Sequence, residues 1–189
     1  MRKLVVAVIG NKAIEKDGIR YRLAFETGKA LVDNGYRVQS GGLGGVMEAV
    51  FAGAHASKNY KEGDTLALVP SFDAGVANKY ADIVVPTGLD LMRNALVANA
   101  DAVIGVGGGA GTMCEYSFAW SMKRLIIAYK NSGGWSEKLA DTRLDDTIRY
   151  EDLDDDKVFG VTNVEDAMKI LNEKIRLYVD RHQGINDKF

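Results

Sequence analysis

Ala102-Val103-Ile104-Gly105-Val106-Gly107-Gly108-Gly109-Ala110-Gly111-Thr112-Met113-Cys114-Glu115 is the stretch that decides the fold. Residues 102–106 form an unbroken apolar run, the pattern of a strand buried on both faces of a parallel sheet. The glycines end that run, and residues 111–123 read as a helix. Strand, glycine turn and helix together make the repeating unit of a doubly wound sheet.

The same unit occurs upstream. Gly41-Gly42-Leu43-Gly44-Gly45-Val46-Met47-Glu48 also has two glycines, a spacer, a third glycine and a glutamate four residues later. It follows an apparent strand at 36–39 and opens an apparent helix at 45–57. Residues 4–9 read as the first strand, and 19–34 as the first crossover helix, stopped by Gly35. Further strands are expected at 65–69, 83–85, 125–129 and 158–161, with helices at 90–99 and 164–181. Asn131-Ser132-Gly133-Gly134 reads as a turn, and the acidic stretch 141–157 as loop with a short strand near Ile148. Residues 1–181 are therefore expected to form one Rossmann-like α/β domain with a mainly parallel sheet, and 182–189 a frayed tail.

Composition narrows the function. Of 189 residues, 47% are apolar and 26% charged, as in ordinary globular proteins. With 24 basic and 26 acidic residues the formal charge is only -2, and no run of Lys or Arg offers a footprint for a nucleic-acid polymer. One cysteine and two histidines supply neither an intramolecular disulfide nor a closed zinc site, so no metal is expected. The apolar start is too short for a signal segment or a membrane span, which points to a cytoplasmic protein with no membrane partner.

Each glycine turn suits an anion. Glycine lets the backbone approach a ligand closely, and the N–H groups and dipole of a helix start favour phosphate. Parallel strands end on one edge, so both turns should open onto one crevice. Gly41, Gly42, Gly44, Gly45, Gly108, Gly109, Gly111 and Thr112 are the expected binding residues for a small phosphorylated molecule. Neither turn carries the Lys-Ser or Lys-Thr of a P-loop, and Gly10-Asn11-Lys12 after the first strand is no dinucleotide fingerprint. No cofactor is required; a bound nucleotide or pterin is the expected ligand.

Glu48 and Glu115 fall in the first turns of their helices, where a carboxylate either caps N–H groups or reaches a ribose or glycosidic bond. Arg93, near the start of the 90–99 helix, opposes the dipole and so answers either to Asp90 at i, i+3 or to a bound anion. Thr112 reads as a cap or a phosphate ligand, Cys114 as packing, and His55 as a surface or dipole residue. Met47, Met92 and Met113 are expected near the crevice, as core filling or as an apolar wall for a base. The helix bearing Phe118, Trp120 and Met122 is a candidate subunit contact and equally a core element.

From Leu4 to Tyr129 the chain resembles the Lonely Guy family of phosphoribohydrolases and its relatives, some labelled "possible lysine decarboxylase". The family signature Pro-Gly-Gly-x-Gly-Thr-x-x-Glu is met by Gly108–Glu115, with Gly107 in place of the proline. Met92-Arg93 matches part of Met-x-x-Arg-Lys, with Asn94 in place of the lysine. The resemblance implies Arg93 and Glu115 as catalytic residues, hydrolysis of the N-glycosidic bond of nucleoside 5'-monophosphates, and a homo-oligomer. The same group includes a molybdenum cofactor carrier, which implies the alternative of a non-catalytic carrier or sensor of a nucleotide or molybdopterin-type cofactor. DNA-processing relatives share the fold but need a basic groove.

Overall fold

Residues 2–180 are described by the computed structural model, so the expected tail at 182–189 lies outside the described residues. Seven strands run β1 Val5–Gly10, β2 Arg37–Ser40, β3 Thr65–Val69, β4 Ile83–Pro86, β5 Ala102–Val106, β6 Leu125–Tyr129 and β7 Val158–Val161. They pair in the order β4-β3-β2-β1-β5-β6-β7, every pair parallel. The helices are α1 Ile19–Asp33, α2 Val46–His55, α3 Asn94–Ala98, α4 Ala110–Ser121, α5 Gly134–Leu139 and α6 Val164–Lys174.

Alternation along the central strands explains their unbroken apolar sequences. Val6 and Val8 of β1 enter a core shared with α1, α2 and α6, whereas Ala7 and Ile9 enter the core under α3 and α4. Ile104 of β5 and Ile127 of β6 belong to the first core, Val103 and Ile126 to the second. Such strands have no solvent face, so no polar residue interrupts them. The result is one α/β domain of the Rossmann-like class.

Helices α1 and α2 touch through glycine. A Cβ on Gly28 would overlap the carbonyl oxygen of Val50, and one on Gly53 would overlap that of Phe25. Both obstacles are backbone, which cannot swing aside.

Three expectations are corrected. The 90–99 helix is a 3₁₀ turn at Asp90–Arg93 followed by the five-residue α3. Its start has no side-chain cap, and Asp90 is held at φ 47°, so α-helical geometry begins only at Asn94. Residues 140–157 contain no strand near Ile148, whose side chain is exposed. The adjacent Arg149 is instead buried, bonded to Asp156 and stacked 3.7 Å from the Trp120 ring, and it accounts for the path of this acidic segment. The turn at 131–134 leads into α5, and the last helix ends at Lys174 rather than near Arg181. Trp120 is core, with Phe118 packed against it.

The helix contact yields a test. Gly28→Ala or Gly53→Ala should destabilise the domain by roughly 2 kcal/mol or more, the scale of an overpacked core, in urea unfolding.

Candidate functional site

The direction in which successive strands are added reverses between β1 and β5, where α1 and α4 depart to opposite faces. The crevice at such a switch point lies outside the carboxyl ends of the strands. Here it is a cleft of about 460 Å³, floored by Ile9, Gly10 and Ser40 at the ends of β1 and β2. Both glycine turns reach it: Gly41, Gly109, Gly111 and Thr112 line it, with Arg93, Glu115 and Met47.

The other four glycines are placed differently. Gly42 accepts hydrogen bonds at its carbonyl from the Asn78 backbone and side chain, and its Cβ position is filled by Ala67 and Val69. Gly44 lies over the Lys12 backbone, and Gly45, at φ 67°, is pressed against Asn11 and Lys12. The Gly108 N–H is already bonded to Asn11 Oδ1 at 2.7 Å. These four shape the turns, while the lining residues face the cleft. Glu48 is not among the lining residues, Met92 is exposed, and Cys114 is exposed rather than packed as expected.

Helix α4 begins at the cleft with no side-chain cap on its start. Its first N–H groups, at Ala110, Gly111 and Thr112, are those a helix leaves without intrahelical partners. Arg93 comes in from the 3₁₀ turn and occupies the space that a Cβ on Gly41 would take. Its side chain is 9% exposed, as is that of Glu115, and the guanidinium Nη1 lies 3.5 Å from Glu115 Oε1. Arg93 Nε is buried without a hydrogen-bond partner among the described residues. A guanidinium carries five donors, and this one meets a single distant carboxylate. Asp90, the other candidate partner, is not the one it takes.

Residues 3–168 match the SLOG cluster4 family. The chain belongs to that family. An uncharacterized protein of Archaeoglobus fulgidus is 35% identical over 131 residues, 69% of this chain and 82% of that protein. The solved structure of TM1055 is similar with a TM-score of 0.75 at 27% identity, over 90% of this chain and 99% of the other. The molybdenum cofactor binding protein of the phototrophic bacterium Rippkaea orientalis is similar in fold, with a TM-score of 0.73 at 24% identity over 93% and 99%. These matches agree with the kinship drawn from the Gly108–Glu115 motif.

Two further residues complete the site of this SLOG cluster4 protein. Asn11 holds both turns: its backbone oxygen accepts the Val46 N–H at 2.9 Å, and its side chain accepts that of Gly108. Asn94, buried beside Arg93, places Nδ2 3.5 Å from the Gly111 oxygen. Asn11 carries no motif of its own, since Gly10-Asn11-Lys12 is no dinucleotide fingerprint. Its position directly after the central strand was the available signal.

Burial raises the Glu115 carboxyl to about 7, against the opposing pull of Arg93. Desolvation lowers the Arg93 guanidinium from its ordinary value, with Glu115 countering. Among the described residues no group of three or more His, Cys, Asp or Glu is placed to hold a metal. No helix there is long and apolar enough to cross a membrane.

The Glu115 shift has a stability consequence. Because its folded value is raised, the folded state holds a proton that the unfolded chain has released, so stability falls as pH rises from about 4.5 to about 7. Between pH 4 and 8 the ligand-free protein should lose up to about 3 kcal/mol relative to Glu115→Gln, read by parallel urea titrations.

Proposed function

We propose that the cleft binds a nucleoside 5'-monophosphate by its phosphate and hydrolyses the N-glycosidic bond. The observation that carries this reading is the buried, under-partnered guanidinium of Arg93 beside the uncapped start of α4. A phosphate there would accept N–H groups from Ala110, Gly111 and Thr112 and charge-assisted bonds from Arg93.

Glu115 lies one helical turn further along α4, deeper in the same cleft. Glycosidic cleavage passes through an oxocarbenium-like state that a carboxylate stabilises. Glu115 as the carboxylate takes a proton from water while that water attacks C1' of the ribose. The bond from C1' to the base nitrogen breaks, its electron pair leaves with the base, and the proton passes to the base. Ribose 5-phosphate and free base result. A group titrating near neutrality suits this exchange.

Incubation with a panel of nucleoside monophosphates should release free base and ribose 5-phosphate, followed by chromatography. Glu115→Gln should lower kcat at least a hundredfold with little change in KM, whereas Arg93→Ala should raise KM. Wild-type kcat/KM should rise with pH through about 7, where Glu115 of the ligand-free protein ionises. No release from any monophosphate would overturn the catalytic reading.

The alternative is a carrier or sensor of a nucleotide or pterin phosphate. It is favoured by the ion pair that ties Glu115 to Arg93 and by the fold shared with a molybdenum cofactor binding protein. It predicts tight binding with no turnover.

The expected self-association moves to a new surface, since Trp120 is core. Leu89, Leu91, Met92 and Leu96 are exposed beside the cleft, with Phe72 85% exposed. Clustered apolar side chains of this kind mark contact surfaces. Light scattering should give at least a dimer, and Leu91→Asp with Met92→Asp should give a folded monomer.

A further inference from the structure

The rim of the cleft carries a carboxylate that the proposed chemistry does not use. Asp90 lines the cleft and stands at φ 47°, a left-handed conformation that side chains other than those of Gly, Asn and Asp rarely adopt. Its N–H donates to the Pro70 carbonyl at 3.1 Å, which fixes it just past the end of β3. Its carboxylate forms no hydrogen bond or ion pair among the described residues. Arg93, three residues on, faces Glu115 instead.

Asp90 lies just past the end of β3, and the α4 start follows β5. β3 and β5 are separated by β2 and β1, three inter-strand steps of about 4.8 Å, or roughly 14 Å in all. The α4 start stands at the β5 end, Arg93 reaches across from beside Gly41, and Asp90 stands at the β3 end. A carboxylate in a cleft that attracts phosphate repels its own ligand unless the ligand brings donors to it.

Leu43, Met47 and Leu91 add apolar surface to the same cleft, which suits a flat ring. An ionised carboxylate offers two acceptors side by side and no donor. It therefore pairs best with two adjacent N–H groups. Guanine has such an edge in N1–H and its 2-amino group, and pterins carry the same 2-amino-4-oxopyrimidine edge. Adenine places the N1 lone pair beside its amino group, so one carboxylate oxygen would face another acceptor.

We infer that Asp90 selects the heterocycle, so that the cleft takes a phosphate ester bearing a 2-amino-4-oxopyrimidine ring in preference to adenine. This rests on the reading of α4 and Arg93 as the phosphate cradle.

Calorimetry on the full chain with GMP, IMP, AMP, neopterin 3'-phosphate and ribose 5-phosphate tests it. GMP should bind at least tenfold tighter than AMP, with IMP between them because it keeps N1–H and lacks the 2-amino group. Asp90→Asn, which tolerates the left-handed backbone, should lose at least tenfold for GMP and leave ribose 5-phosphate unchanged. Neopterin 3'-phosphate binding tighter than GMP assigns the ring to a pterin, and weaker binding assigns it to guanine. Equal affinity for GMP and AMP, or equal losses for every ligand in Asp90→Asn, overturns the assignment. Absence of ribose 5-phosphate binding, with no effect of Arg93→Ala on any ligand, overturns the cradle and this assignment with it. Phosphate binding without base preference overturns only the latter.

Discussion

The pairing of β1 with β5 at the centre of a parallel sheet is the constraint on which the rest depends. Both strands are buried between two helical layers, so their residues are fixed in face and register before any ligand is considered. Because the strands on either side are added in opposite directions, no helix covers the point where they part. The first residues after each central strand must fill or frame that gap. Gly10-Asn11 at the end of β1 and Gly107-Gly108 after β5 meet there, and the Asn11 side chain ties them together. The gap is thus a product of topology, and its walls are a product of glycine.

Those walls accommodate a costly arrangement. Removing a guanidinium and a carboxylate from water costs several kcal/mol for each ion, and only close, well-aligned hydrogen bonds recover it. The Arg93–Glu115 pair, at 3.5 Å and with Nε unmet, recovers little. A stabilising pair in this protein looks different: Arg149 makes two bonds to Asp156, donates to the Trp120 and Arg124 carbonyls and stacks on an indole. Both pairs are buried, so burial alone does not set them apart. Completeness of the donor set does.

Much of the fold was legible because its central strands β1, β5 and β6 obey one rule, a continuous apolar run with no solvent face. The crossover helices α1, α2 and α4 were legible for the same reason, as each has an apolar side and a glycine boundary. Reading was weaker where tertiary contacts override local pattern. Asp90 sits in a left-handed conformation that no periodicity announces, and it breaks the expected helix into a 3₁₀ turn and α3. Arg149 is drawn inward by Asp156 and Trp120, partners that sequence proximity does not pair with it. Both glycine motifs lead to the cleft, but local pattern does not separate the glycines that line it from those packed against backbone. That division depends on atoms of Asn11, Lys12, Asn78 and Ala67, which lie far away in sequence.

Gly41 shows why the two turns are one device rather than two copies. A side chain there would displace the Arg93 guanidinium, so the first turn holds open the seat of the cation that faces the second. The internal similarity of the two motifs therefore conceals a difference in work. The Gly108 turn presents helix N–H groups from α4, while the first amide of α2 is spent on the Asn11 carbonyl. An anion entering the cleft meets one helix start and one guanidinium, with Glu115 behind them. Electroneutrality then orders events: a phosphate engaging Arg93 draws its field away from Glu115, which favours the protonated carboxyl. The Arg93–Glu115 pair therefore couples the protonation of the buried carboxyl to whatever charge is brought beside the guanidinium.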